Sequence, residues 1–215
     1  PMLRLRRGER MRRYFQPGLD DGKTFVFWGR NYNTAGIPGP ERSRTWVNQP
    51  DKMLNSKNGT PHRNGQARFA NVEYLYEPDF TGGDYREGIV GETANQVTFS
   101  FQTPYVIGAT PPNDQPWGIY DVGCRNGLVL RGKAKCPVSL SLDDGRTWSQ
   151  PQAFKDGLDL TDLVKGRSHY WLRLGTGARQ LRNTGFGIRT VCQVNVGVLP
   201  WLKDNGTSIS YEASG

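Results

Sequence analysis

The sequence predicts an all-β protein, an antiparallel β-sandwich or jelly roll, on three observations. Short runs alternate apolar and polar residues, as in QVTFSF (96–101) and HYWLRL (169–174). Turn residues punctuate those runs throughout: 27 glycines and 14 prolines lie between and beside them. No long stretch carries a helical period, and no repeat of the kind that builds a propeller is visible.

The elements follow in order. MLRLRRGERMRRYF (2–15) reads as a strand, a turn at Gly8-Glu9 and a second strand; as a helix it would carry arginine on every face, with Gly8 in the middle. KTFVFWGRNY (23–32) is a strand rich in aromatic and β-branched residues. Residues 31–65 form a long loop-rich segment interrupted by Pro38, Pro40, Pro50 and Pro61. ARFANVEYLYEPD (67–79) resumes as a strand with Phe69, Val72, Tyr74 and Tyr76 inward. NQVTFSFQTPYVIG (95–108) turns Val97, Phe99 and Phe101 to one face until Pro104 interrupts it, and GATPPNDQPWG (108–118) is loop. GLVLRGKA, CPVSLSLDDGRTW, HYWLRLG, GFGIRTVCQVN and TSISYEA complete a set of about ten strands. DLTDLVKG (159–166) supports a turn or two of helix, capped by Asp159 or Thr161. One domain over residues 1–215 is expected.

Aromatic residues at 11% exclude a disordered chain. No apolar run approaches the roughly 18 residues of a membrane span, so no membrane insertion is expected. The chain opens on PMLRLRRGER, with arginine where a signal peptide carries its apolar core, and is expected to be a region of a larger protein. Its net charge of +8 is unevenly placed: residues 1–70 hold 14 Lys/Arg against 5 Asp/Glu, and 11 of those 14 cations are arginine. Arginine grips carboxylates, sulfates and phosphates through a planar fork, so this third is either an anion-binding surface or a seat for a neighbouring domain. Nucleic acid is disfavoured, because no binding motif accompanies the charge. Cys124, Cys136 and Cys192 allow one disulfide at most. An Asn126-Gly127 hairpin would set Cys124 opposite residue 129 rather than Cys136. The spacing offers no zinc site, and two histidines cannot build a His-rich one.

SLDDGRTW (141–148) fits Ser-x-Asp-x-Gly-x-Thr-Trp through Ser141, Asp143, Gly145, Thr147 and Trp148. It resembles the Asp-box hairpin of bacterial sialidases and other extracellular β proteins, which implies a folding element remote from any catalytic pocket. Locally, Asp143 is placed to accept turn amides, Gly145 to take a positive φ and Trp148 to fold back as a lid. A more extended likeness runs through LRRGERMRRYF, YLYEPDF…YREG, YWLRL and LPWLKDNGTSISYEAS. It is similar to β-sandwich regions of bacterial secreted proteins that accompany polysaccharide-handling or transglutaminase-like domains. That likeness implies an extracellular or periplasmic accessory region and transfers no catalytic residue.

Trp28, Arg30, Tyr32, Arg42, Arg44 and Trp46 form the candidate carbohydrate site, since rings stack on sugars while arginines bond hydroxyls or uronate carboxylates. A polysaccharide lyase on the same fold would use His62, Tyr74 and Arg63. Glu73, Glu77, Asp79, Asp84 and Glu87 form an acidic run that could supply a hydrolase pair or a structural calcium site, or simply turn residues. His169 reads as an exposed or capped strand residue. No cofactor is expected. The expectation is a non-catalytic carbohydrate-binding or accessory domain of an exported bacterial protein, with acidic polysaccharide among its ligands. The alternatives are a lyase or hydrolase, and a structural domain that docks on its neighbours.

Overall fold

The computed structural model describes residues 5–14, 69–112, 120–195 and 209–212, together with Leu19 and Val26. Among them it places twelve strands: β1 (Glu9–Arg13), β2 (Phe69–Tyr76), β3 (Ile89–Thr93), β4 (Gln96–Gln102), β5 (Val106–Ile107), β6 (Leu128–Arg131), β7 (Pro137–Ser141), β8 (Gln152–Ala153), β9 (Leu158–Asp159), β10 (His169–Leu174), β11 (Gly187–Asn195) and β12 (Ile209–Glu212). All pairings are antiparallel. One sheet of seven strands runs β12-β1-β2-β11-β6-β9, with β5 also on β11; the other, of five strands, runs β3-β4-β10-β7-β8. The protein is thus the all-β sandwich its alternation predicts.

Apolar residues of the two sheets meet in a single large core. Val97, Phe99 and Phe101 of β4 and Tyr170, Leu172 and Leu174 of β10 face Val72, Tyr74 and Tyr76 of β2 across it. Phe101 stacks on Tyr170 at 5.0 Å, and Tyr74 meets Phe101 edge-on at 5.3 Å. Buried phenols need partners, and these have them: Tyr74 with Thr103 Oγ1 at 2.9 Å, Tyr170 with Thr190 Oγ1 at 2.8 Å, and Tyr76 donating to Tyr85 O at 3.2 Å.

The amino-terminal reading needs a correction. Leu5 and Arg6 lie outside any strand, the turn falls at Arg7-Gly8, and among the described residues of this stretch Glu9–Arg13 is the strand. The Glu9 carboxylate accepts from both the Arg6 backbone N–H and the Arg6 guanidinium, which folds Arg6 back over the turn. Gly8 supplies the required φ of 79°. Freed from a hairpin partner, β1 lies between β2 and β12.

Asn126-Gly127 does not make a two-residue hairpin either. Arg125 bridges to Thr110, and a Cβ at Gly127 would lie 2.2 Å from Gly108 O, so this glycine permits a close backbone approach. All three cysteines are buried, and none forms a disulfide among the described residues. The short helix at Thr161–Val164 starts where Asp159 Oδ1 accepts the Thr161 N–H at 3.0 Å. Strand KTFVFWGRNY lies outside the described residues except for Val26, which is buried. No helix among the described residues is long and apolar enough to cross a membrane.

Candidate functional site

The site is built where β10 meets the turn that follows β7. Along β10, Tyr170, Leu172 and Leu174 enter the core, which leaves His169, Trp171 and Arg173 on the outer face of the five-stranded sheet. Trp171 pairs with Ser100 of β4 on one side and Ser141 of β7 on the other. Neighbours this small leave open space beside an indole.

The turn beyond β7 holds itself together. Asp143 accepts the Thr147 N–H at 2.9 Å and the Thr147 hydroxyl at 2.6 Å, while the Ser141 hydroxyl donates to it at 2.7 Å. Ser141 Oγ in turn accepts the Gly145 N–H at 2.8 Å. These bonds, those from Thr147 first, hold the Asp143 carboxyl down at about 2. Asp144 and Gly145 both adopt left-handed φ, 56° and 84°. Trp148 Nε1–H closes the turn on Gly145 O at 3.0 Å, and the Arg173 guanidinium lies 3.9 Å above its ring.

Gly145 is held between two indoles. A Cβ there would sit 2.9 Å from Cζ3 of Trp171 and 3.5 Å from Cζ2 of Trp148. The turn therefore fixes Trp171 along one edge. Beside that ring lies an open cleft of about 270 Å3, lined by Trp171, His169, Ser100, Phe101, Gln102 and Asp144. His169 is oriented by the Leu142 carbonyl, to which Nε2–H donates at 3.1 Å, so its Nδ1 is an acceptor when the ring is neutral. The cleft thus offers one flat apolar face, an imidazole, an amide, a hydroxyl and a carboxylate.

The sequence-predicted residues fall differently. Trp28, Arg30, Tyr32, Arg42, Arg44 and Trp46 lie outside the described residues, as do His62 and Arg63. Tyr74 stands in the core at 4% exposure, its hydroxyl on Thr103, and burial raises its pKa well above the usual phenol range.

The acidic run is engaged by arginine or by its own turn. Glu73 is buried and bonds Arg189 and the Tyr14 hydroxyl; Glu77 bonds Arg10; Asp84 and Glu87 bond Arg7. Asp79 accepts from the N–H and hydroxyl of Thr81. Among the described residues no group of three His, Cys, Asp or Glu converges on a metal position.

Trp171 was not singled out from sequence, although the signal was there: a tryptophan on the polar face of an alternating strand. Comparison of the chain with known protein families, with curated proteins and with solved structures finds no match.

Proposed function

We propose that this sandwich is a non-catalytic carbohydrate-binding domain of an exported protein, and that it holds a sugar in the cleft beside Trp171. The observation that carries the reading is Trp171 on the outer sheet face, with His169, Gln102, Ser100 and Asp144 around the same cleft. A sugar ring presents an apolar C–H face and a rim of hydroxyls. An indole beside a few fixed donors and acceptors matches both. Asp144 adds a negative charge to the cleft, so this position favours a neutral hydroxyl-rich unit over a uronate or sulfate.

Binding by a sheet-borne ring held by its own turn needs little reorganisation, which suits an accessory domain that grips a polymer for its neighbours. The experiment is a panel of neutral and acidic polysaccharides, with binding followed together with reducing ends and the ultraviolet absorbance of an unsaturated product. The proposal expects binding without product, weakened at least about tenfold by Trp171→Ala. Product formation that survives Trp171→Ala would replace it with the lyase or hydrolase.

A further inference from the structure

A second cleft, of about 440 Å3, shares no lining residue with the Trp171 cleft and differs from it in charge. Arg86 comes to it from the 3-10 turn Asp84–Gly88, and Arg179 and Arg182 come from the short helix Ala178–Leu181 and the residue after it. Glu92 of β3 is the one carboxylate among its lining residues.

The arginines of the amino-terminal segment show what such side chains do when acids are at hand. Arg6, Arg7 and Arg10 each close on a carboxylate within 3.0 Å (2.9, 2.8 and 2.6 Å). The three in the cleft are differently placed. Among the described residues Arg182 engages only Nε, which donates to Phe80 O at 3.0 Å; this orients the guanidinium and leaves both terminal nitrogens as donors.

Arg86 likewise engages Nε, on Glu92 Oε2 at 3.1 Å, with its Cζ 5.0 Å from the centre of the Tyr85 ring. The other oxygen of Glu92 accepts the Tyr85 hydroxyl at 2.6 Å, so that carboxylate has a partner on each oxygen. Arg179 is exposed and makes no ion pair among the described residues. Three arginines face Glu92 in the cleft and Asp79 near Arg182, which leaves an excess positive charge, and Nε bonds direct the guanidinium groups of Arg86 and Arg182.

We infer that this cleft is an oxyanion site, built to hold a sulfate, phosphate or carboxylate group through Arg86, Arg179 and Arg182. Planar forks with free terminal nitrogens are the donors such groups take two at a time. The site does not depend on the Trp171 reading. An acidic sugar chain and a free inorganic anion share this chemistry, and the two sources differ in affinity.

The test follows the arginine Nε–H signals of the full chain by NMR during titration with sodium sulfate, against sodium chloride at equal ionic strength. A sulfated oligosaccharide is titrated in parallel. The Arg86 and Arg182 signals are expected to shift saturably with sulfate. Arg179→Glu, an exposed change that breaks no hydrogen bond or ion pair among the described residues, is expected to weaken the effect about tenfold, and Lys135→Glu to leave it unchanged. Tighter binding of the oligosaccharide through the same signals identifies a polymer ligand; equal or weaker binding identifies a free anion. No saturable shift, or equal weakening by Lys135→Glu, would overturn the inference.

Discussion

The turn 141–148 and the β1–β2 ribbon solve the same problem, satisfying many polar groups, in opposite ways. In the turn the hydrogen bonds of five side chains and amides are local: Ser141, Asp143, Gly145, Thr147 and Trp148 bond one another within eight residues. In the ribbon, apart from the local Arg6–Glu9 pair, the partners are distant in sequence. Arg7 reaches Asp84, Arg10 reaches Glu77, and Glu73 holds Arg189. A local circuit can be read from eight letters, whereas a distant one cannot. The basic first third therefore reads as an anion surface or a seat for a neighbouring domain, while Arg6, Arg7 and Arg10 at its start already have acids of the chain beside them.

The two regions should fail differently. The largest effect is expected at Glu73, 4% exposed beneath Arg189 and the Tyr14 hydroxyl. Glu73→Ala leaves Arg189 without its carboxylate and should cost about 3–5 kcal/mol, read as a lower urea midpoint. Loss of less than about 1 kcal/mol would show that the ribbon is held by its strand pairing alone.

Gly145→Ala comes next. It places a methyl 2.9 Å from Trp171 at a φ of 84°, and should cost about 1–3 kcal/mol. Because it also displaces Trp171, it should weaken sugar binding, which a stability defect elsewhere would not do.

The exposed pair Arg10–Glu77 should contribute least in the ribbon, with side chains 44% and 63% exposed. A double-mutant cycle with Arg10→Ala and Glu77→Ala is expected to give a coupling of about 0.2–1 kcal/mol that fades with added salt. The turn carries the corresponding small effect as a pH dependence. Asp143 is held at about 2 in the fold, below the roughly 3.9 of an unfolded aspartate. Its contribution is therefore complete above that unfolded value and is lost as pH falls toward 2. Asp143→Asn should flatten the acid limb of stability against pH; an unchanged limb would show that other carboxylates set it.

Much of the sandwich was legible because the apolar residues of β4 and β10 fall at every second position, strictly matched by burial in β10 and broken in β4 only by the buried Thr98. Elements without that alternation were not. β3 is an edge strand with one half-buried and four exposed residues, and β8 and β9 are two residues each, so none carries a periodic signal. The site was half legible. Asp143 and Gly145 announce the turn, but nothing in their sequence says that the turn grips Trp171, which lies 26 residues beyond Gly145 and meets it only through the β7–β10 pairing. The Arg86–Arg182 cleft was invisible for the same reason, since its cations lie 96 positions apart and look like ordinary surface charge.

The proposed contact of the Trp171 indole with sugar is tested by following the tryptophan indole N–H signals. The chain has six tryptophans, so each can be followed separately during titration with a neutral oligosaccharide found to bind. The account predicts that the Trp171 signal shifts most, while Trp148, whose N–H is held by Gly145 O, moves little. Shifts confined to Trp28 and Trp46, with Trp171 unmoved, would contradict it and return the binding surface to the amino-terminal third.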